Sequence, residues 1–220
     1  PLMFFGVISG FLVLTDSSVI GYFLNASQVG FHNAAMSIAL LLLVQPLLFS
    51  KLFLPLITKE YGKNNLFLIE ELGKQVQKWI FIINLPALLI MLIFPGAIIN
   101  ILFGEQYLVA ENALRFLAVG IFVLSIGSSV SENLIYMVGR SKTILYNTLF
   151  ISIVNLILNI ILVPRYGING SAFSTMIVCI FLSLITILQV RNYLSITLIG
   201  GSLTRIMLAS LIPAFILVIL

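Results

Sequence analysis

The chain has 220 residues, of which 61% are hydrophobic and only 8% charged, and its mean hydropathy is +1.22. Water-soluble domains carry about 25% charged residues to cover their surface; these residues cannot form such a cover, so most of the surface faces lipid and a soluble fold is excluded. The net charge of +4 is no nucleic-acid footprint either, because the basic residues lie in short segments between apolar runs, the placement that membrane topology imposes.

Crossing ~30 Å of hydrocarbon takes about 20 apolar residues in a helix. By that rule seven segments qualify: Leu2–Leu24, Phe31–Leu56, Trp79–Phe103, Ala113–Val138, Thr143–Val163, Ser171–Val190 and a short Ile206–Leu220. Transmembrane strands are ~10 residues long and alternate, whereas these runs are longer and apolar on both alternations. The expected fold class is therefore all-α, a polytopic transmembrane helix bundle. The first segment lacks the basic start and small-residue cleavage site of a signal peptide. Both chain ends fall in apolar sequence and read as truncations.

Pro46 and Pro86 fall inside predicted spans, where each removes a backbone donor and is expected to kink the helix. Between the second and third spans, Thr58–Lys78 carries Leu66, Ile69, Leu72 and Val76 at helical spacing, with Glu70 four residues before Lys74. This reads as an interfacial helix on the inner leaflet, leading into Trp79. If the first helix runs outward, Lys51, Lys59, Lys63, Lys74, Lys78, Arg140, Lys142, Arg191 and Arg205 collect on one side, leaving Arg115 and Arg165 on the other. The rule that basic loops stay inside then makes the start of this chain cytoplasmic.

Ionisable residues within the membrane default to functional candidates because they are costly to place there. Asp16, in the first span, and Glu132, in the fourth, are the two candidates for binding a coupling ion. For each, a structural hydrogen bond or pairing with a cation stays open as the plainer role; Arg140, two turns from Glu132, is one such cation. Ser125, Ser128, Ser129, Glu132, Tyr136 and Arg140 share one face of the fourth span. Thr148, Ser152, Asn155 and Asn159 do so on the fifth, and Asn33, Ser37 and Gln45 on the second. Three polar stripes in one bundle point to an aqueous cavity, against the alternative of plain interhelical hydrogen bonds. The lone His32 and lone Cys179 have no partners at ligand or disulfide spacing, so no metal site and no cofactor is expected. No nucleotide-binding or hydrolase motif is present, and the chain is not expected to be an enzyme.

Taken in order, Asp16, Gly21-Tyr-Phe-Leu, Val29-Gly-Phe-His-Asn-Ala-Ala, Phe103-Gly-Glu-Gln-Tyr, Gly139-Arg-Ser-Lys, Asn155 with Leu158-Asn159, and Val163-Pro-Arg-Tyr-Gly-Ile-Asn-Gly-Ser-Ala followed by Thr175 resemble the C-terminal half of polysaccharide (O-antigen-type) flippases. These belong to the multidrug/oligosaccharidyl-lipid/polysaccharide exporter superfamily. The chain departs from that pattern at His32, where Tyr is more usual, and at Ser171, where Ala is commoner.

The resemblance implies a MATE-like transporter of two six-helix lobes working by alternating access. Residues 1–190 would form the second lobe, helices seven to twelve, and residues 191–220 a cytoplasmic loop with the start of a thirteenth. The implied cargo is a polyprenyl-diphosphate-linked oligosaccharide for cell-surface polysaccharide, with H+ or Na+ as coupling ion. The implied setting is the cell (inner) membrane, and the implied partners are the lipid bilayer and the N-terminal lobe of the same chain. Arg115 and Arg140 would contact anionic sugar or diphosphate. A multidrug antiporter or peptidoglycan-precursor flippase of the same superfamily stays open; the former should show a compact, aromatic-lined pocket. The rival of another class is a membrane enzyme acting on lipid-linked glycans, which would need a large charged outer loop that Asn25–Gly30, Gly104–Glu111 and Pro164–Asn169 do not provide.

Overall fold

A computed structural model describes residues 15–198. The start of the first predicted span, the Ile206–Leu220 segment and Arg205 lie outside the described residues. The described chain is helical nearly throughout. Residues 15–23 belong to helix α1. They are followed by α2 (Ala26–Ala39), α3 (Val44–Tyr61), α4 (Leu66–Ile93), α5 (Pro95–Phe103), α6 (Glu111–Met137) and α7 (Ser141–Leu194), with 3-10 turns at Leu40–Leu43 and Glu105–Ala110. Four helical stretches are long and apolar enough to cross a membrane: Ala26–Tyr61, Leu66–Ile93, Glu105–Met137 and Ser141–Leu194.

The helix starts have local causes. The Asn25 side chain accepts from the Gln28 N–H at 2.9 Å, and that of Asn65 from the Leu68 N–H at 3.3 Å, so each satisfies a backbone donor that the first turn leaves free. Asn65 starts α4 well before Trp79, and the stretch expected to lie along the membrane surface is instead the first turns of the same helix as the third span. The span expected to continue to Phe103 breaks at Phe94, whose φ of −121° and ψ of 43° leave the helical region, and Pro95 opens α5. Proline suits a first helical position because the N–H it lacks would have no partner there.

Pro46 shows what an interior proline requires. Lacking an N–H, it cannot bond the Leu42 carbonyl one turn back, and the chain just before it tightens into the 3-10 turn Leu40–Leu43. The fully buried Asn84 of α4 donates to that Leu42 carbonyl at 2.8 Å. A polar side chain from a neighbouring helix thus replaces the missing bond, as it must where no water is present. Pro86, by contrast, sits inside α4 without interrupting it.

The 54 residues of α7 would run ~81 Å if straight, at about 1.5 Å per residue, far more than a bilayer. They do not run straight. Gly167 has φ 59° and ψ −142°, a conformation open only to glycine, and there the chain folds back on itself. Its two arms, 141–166 and 168–194, lie antiparallel: Asn147 and Gln189 exchange two amide hydrogen bonds at 2.7 and 2.9 Å. The second arm then packs closely on α6. A Cβ on Gly120 would stand 2.7 Å from the Met176 Cα, and one on Gly127 the same distance from the Ser183 Cβ. Small residues that admit such approach are the main adhesive between helices in lipid.

Two buried clusters result. One unites α1, α2, α4, α5, α6 and α7 around Ile20, Ala35, Leu114, Leu117 and Ile168. The other gathers Phe53, Ile69, Leu134, Ile144 and Val190 with Ile196 and Leu198, at the end of the bundle where most of the lysines and arginines lie. This second end is called the basic end below.

Candidate functional site

Asp16 is 2% exposed although it sits within an apolar helix, and every neighbour that holds it comes from another element. Its Oδ1 accepts from Asn159 Nδ2 at 2.9 Å, and its Oδ2 from the Thr175 hydroxyl at 2.7 Å. Asn159 and Thr175 lie equally far in sequence from Gly167, on opposite arms of α7, so the fold-back at that glycine places them side by side. Asn159 Nδ2 also reaches Asn155 Oδ1 at 3.0 Å, and Asn155 Nδ2 lies 3.5 Å from the Thr175 hydroxyl. From α2, His32 Nε2 stands 3.7 Å from Asp16 Oδ2; His32 is 1% exposed, and neither of its ring nitrogens has a hydrogen-bond partner.

The result is a compact oxygen cluster: two carboxylate oxygens, the Thr175 hydroxyl and the amide oxygens of Asn155 and Asn159. The Asn159 amide oxygen is buried and accepts no hydrogen bond. A buried oxygen without a donor is costly, and a small cation bound among these oxygens would relieve it. Hard monovalent and divalent cations take oxygen ligands of these types.

Asp16 also lines a cavity of about 580 Å³ that runs between α2, α3, α6 and both arms of α7. Thr175, Asn155 and Cys179 surround Asp16 at one end. Ser50, Ser128, Ser129, Glu132, Asn133 and Tyr136 line the other, and the walls between are mostly aliphatic, among them Leu40, Leu43, Ile121, Leu124 and Leu182. Among the described residues the lining carries two carboxylates and no lysine, arginine or histidine. Such a cavity attracts cations and repels phosphate.

The stripes read from the sequence divide on this framework. Asp16, Ser129, Glu132, Tyr136 and Asn155 line the cavity. Asn159 lies behind it, holding Asp16, and Ser152 bonds back to the Thr148 carbonyl at 2.7 Å. Ser125 turns to α4, where it accepts from Asn84 at 3.1 Å and donates to the Phe122 carbonyl. Asn33 and Ser37 lie on the exposed face of α2: Ser17 donates to Asn33 Oδ1 at 3.0 Å, and Ser37 to the Asn33 carbonyl at 2.8 Å. Gln45 stands among the half-buried residues beside Pro46, its side-chain oxygen buried and without a donor.

Both arginines lie outside the cavity. Arg115 pairs with Glu111 at 2.8 Å and with Asn112 at 2.7 Å, and donates to the Leu92 carbonyl that the break at Phe94 leaves free. Arg140 stacks on the Tyr193 ring at 4.1 Å and forms no ion pair with Glu132.

Sequence reasoning passed over the sixth span. Thr175 completes the Asp16 cluster, while Ser183 and Thr186 join Ser128 across the α6–α7 contact at 3.5 and 3.3 Å. Their helical spacing was the available signal. His32, set aside for want of a neighbour at ligand spacing, faces Asp16 through the fold rather than through the sequence.

The MatE family profile matches residues 1–161. Over 97 residues the chain is 40% identical to an uncharacterized membrane protein of Methanocaldococcus jannaschii, covering 43% of this chain and 18% of that protein. It is 29% identical over 168 residues to a protein of Haloferax volcanii named as a low-salt glycan biosynthesis flippase, with coverage of 73% and 34%. A Shigella flexneri protein named as an O-antigen transporter is 27% identical over 184 residues, with coverage of 79% and 42%. The chain thus spans less than half the length of these relatives. No solved structure matches it. An all-helical membrane bundle that matches this profile over most of its length belongs to the MatE family.

Proposed function

We propose that the full-length protein is a flippase that exports a polyprenyl-diphosphate-linked oligosaccharide by cation-coupled alternating access, and that this chain supplies its second lobe. The observation that carries the reading is the Asp16 cluster: a buried carboxylate held by two arms of one folded-back helix, with an unpartnered amide oxygen beside it. The coupling ion is H+ or Na+, and the oxygen-rich cluster favours Na+. Because Asp16, His32, Asn159 and Thr175 come from three helices, a cation bound there holds α1, α2 and α7 in one arrangement. A difference in affinity between the two access states then biases their equilibrium.

In this reading the glycan does not pass through the cavity inside the lobe, whose two carboxylates repel a diphosphate. It passes between this lobe and the other, along the exposed Ser17–Asn33–Ser37 face, while the polyprenyl chain stays in lipid. The basic end faces the cytoplasm. The glycan-related names of two relatives support this cargo over a drug, as does a cavity lining in which Tyr136 is the one aromatic among the described residues.

The test is complementation of a strain unable to export lipid-linked glycan, using the full-length gene and a matched glycan. Rescue by the unsubstituted protein and none by Asp16→Asn at equal membrane abundance is the expected result. No rescue by the unsubstituted protein despite normal expression would overturn the reading. Full rescue by Asp16→Asn would remove Asp16 from the coupling.

A further inference from the structure

We propose that Glu132 forms a second cation station, at the basic end of the cavity, through which the ion held at Asp16 exchanges with that side of the membrane. The proposal rests on the reading of Asp16 as coupling-ion ligand. It starts from a contrast inside one cavity. Each Asp16 oxygen accepts a hydrogen bond, whereas Glu132, which lines the same space, makes no hydrogen bond and no ion pair among the described residues. A carboxylate left without a partner inside a membrane helix has no structural task to explain its cost.

The surroundings of Glu132 suit a small cation. Hydroxyl groups of Ser50, Ser128, Ser129 and Tyr136 line the same part of the cavity. Asn133 spends its amide donors on Ser50 at 2.8 Å and on the Ser129 carbonyl at 2.7 Å. No basic side chain among the described lining residues competes for the carboxylate, and the nearest candidate, Arg140, is stacked on Tyr193.

Distance gives the station a purpose. Thr175 touches Asp16, and Thr186 lies beside Ser128; the helix between them spans ~16 Å at about 1.5 Å per residue. Glu132 lies one turn beyond Ser128 on α6. Between the two carboxylates stand Leu40, Leu43, Ile121, Leu124 and Leu182. An ion crossing between such walls without a compensating charge meets a desolvation penalty. A second carboxylate at the far end draws cations into the cavity and shortens the uncompensated step.

The experiment uses the full-length protein in proteoliposomes and radioactive sodium as probe, measuring counterflow rate and, separately, equilibrium sodium binding. Glu132→Gln is expected to slow counterflow about ten-fold while binding stays within about two-fold, since it acts on passage and not on the bound state. Glu132→Asp, which keeps the charge, is expected to restore most of the rate. Unchanged counterflow in Glu132→Gln overturns the proposal, and so does loss of equilibrium binding as complete as that of Asp16→Asn, which would make the two carboxylates one site. Absence of sodium binding in the unsubstituted protein would instead overturn the reading of Asp16 as a sodium ligand, and the sodium station with it.

Discussion

The two ends of the cavity hold one carboxylate each and treat it in opposite ways. Around Asp16 the two arms of α7 converge just inside the Gly167 turn, and two hydrogen bonds fix the side chain. Around Glu132 hydroxyls and an amide line the space but none bonds to the carboxylate. The difference teaches that a charged residue in a membrane helix has two physical meanings. One held by hydrogen bonds from two helix arms is a built ligand or a structural clasp, and removing it takes the acceptor from buried donors. One without partners makes no such bond, and its cost is not offset by the fold.

The comparison can be broken by stability measurements on the full-length protein. The largest effect is expected for Asp16→Leu, which takes the acceptor of the Thr175 hydroxyl from the core and leaves the Asn159 amide only its bonds to Asn155: a loss of about 3 kcal/mol, as for breaking a buried network by removing one partner, read as a lower melting temperature. Glu132→Leu is expected to act in the opposite direction, stabilising by about 1 kcal/mol because an unpaired carboxylate is removed from the membrane interior; the same melting assay reads it. A destabilised Glu132→Leu would mean that Glu132 has a structural partner and would collapse the contrast. Smallest is Ser128→Ala, which removes one hydroxyl from the contact with Ser183 and Thr186 and is expected to cost about 0.6 kcal/mol, the average for such interhelical bonds.

Much of the architecture was legible because length and hydropathy alone decide what can cross a bilayer. The helical bundle of the described residues, the turn regions near Asn25, Gly104 and Gly167 and the clustering of basic residues at one end all follow from composition along the chain. The break at Phe94 was not legible, because an apolar run reads the same whether or not Pro95 begins a new helix within it. Nor was the continuity of α4 through Trp79: a change from amphipathic to apolar sequence marks where the surroundings change, not where a helix bends.

The site was legible in part for a related reason. Helical spacing says which residues share a face but not what that face meets. Ser125 and Ser129 belong to one stripe, yet the first is bonded to Asn84 and the second lines the cavity. Arg115 and Arg140 could be placed near an anionic cargo only while their own partners, Glu111 and Tyr193, were unknown. The Asp16 cluster needs residues from α1, α2 and both arms of α7, and only the fold-back at Gly167 shows that Thr175 belongs with Asn159.

The central claim is that the Asp16 cluster binds sodium as the coupling cation, and the most direct measurement is sodium-dependent thermal stabilisation of the purified full-length protein, with choline as the control cation. Sodium at about one hundred times its dissociation constant stabilises a binder by about 2.7 kcal/mol, so the account predicts a melting temperature several degrees higher in sodium than in choline, with the difference lost in Thr175→Val. An equal melting temperature in both salts, or a sodium effect that survives Thr175→Val and Asp16→Asn alike, would contradict it.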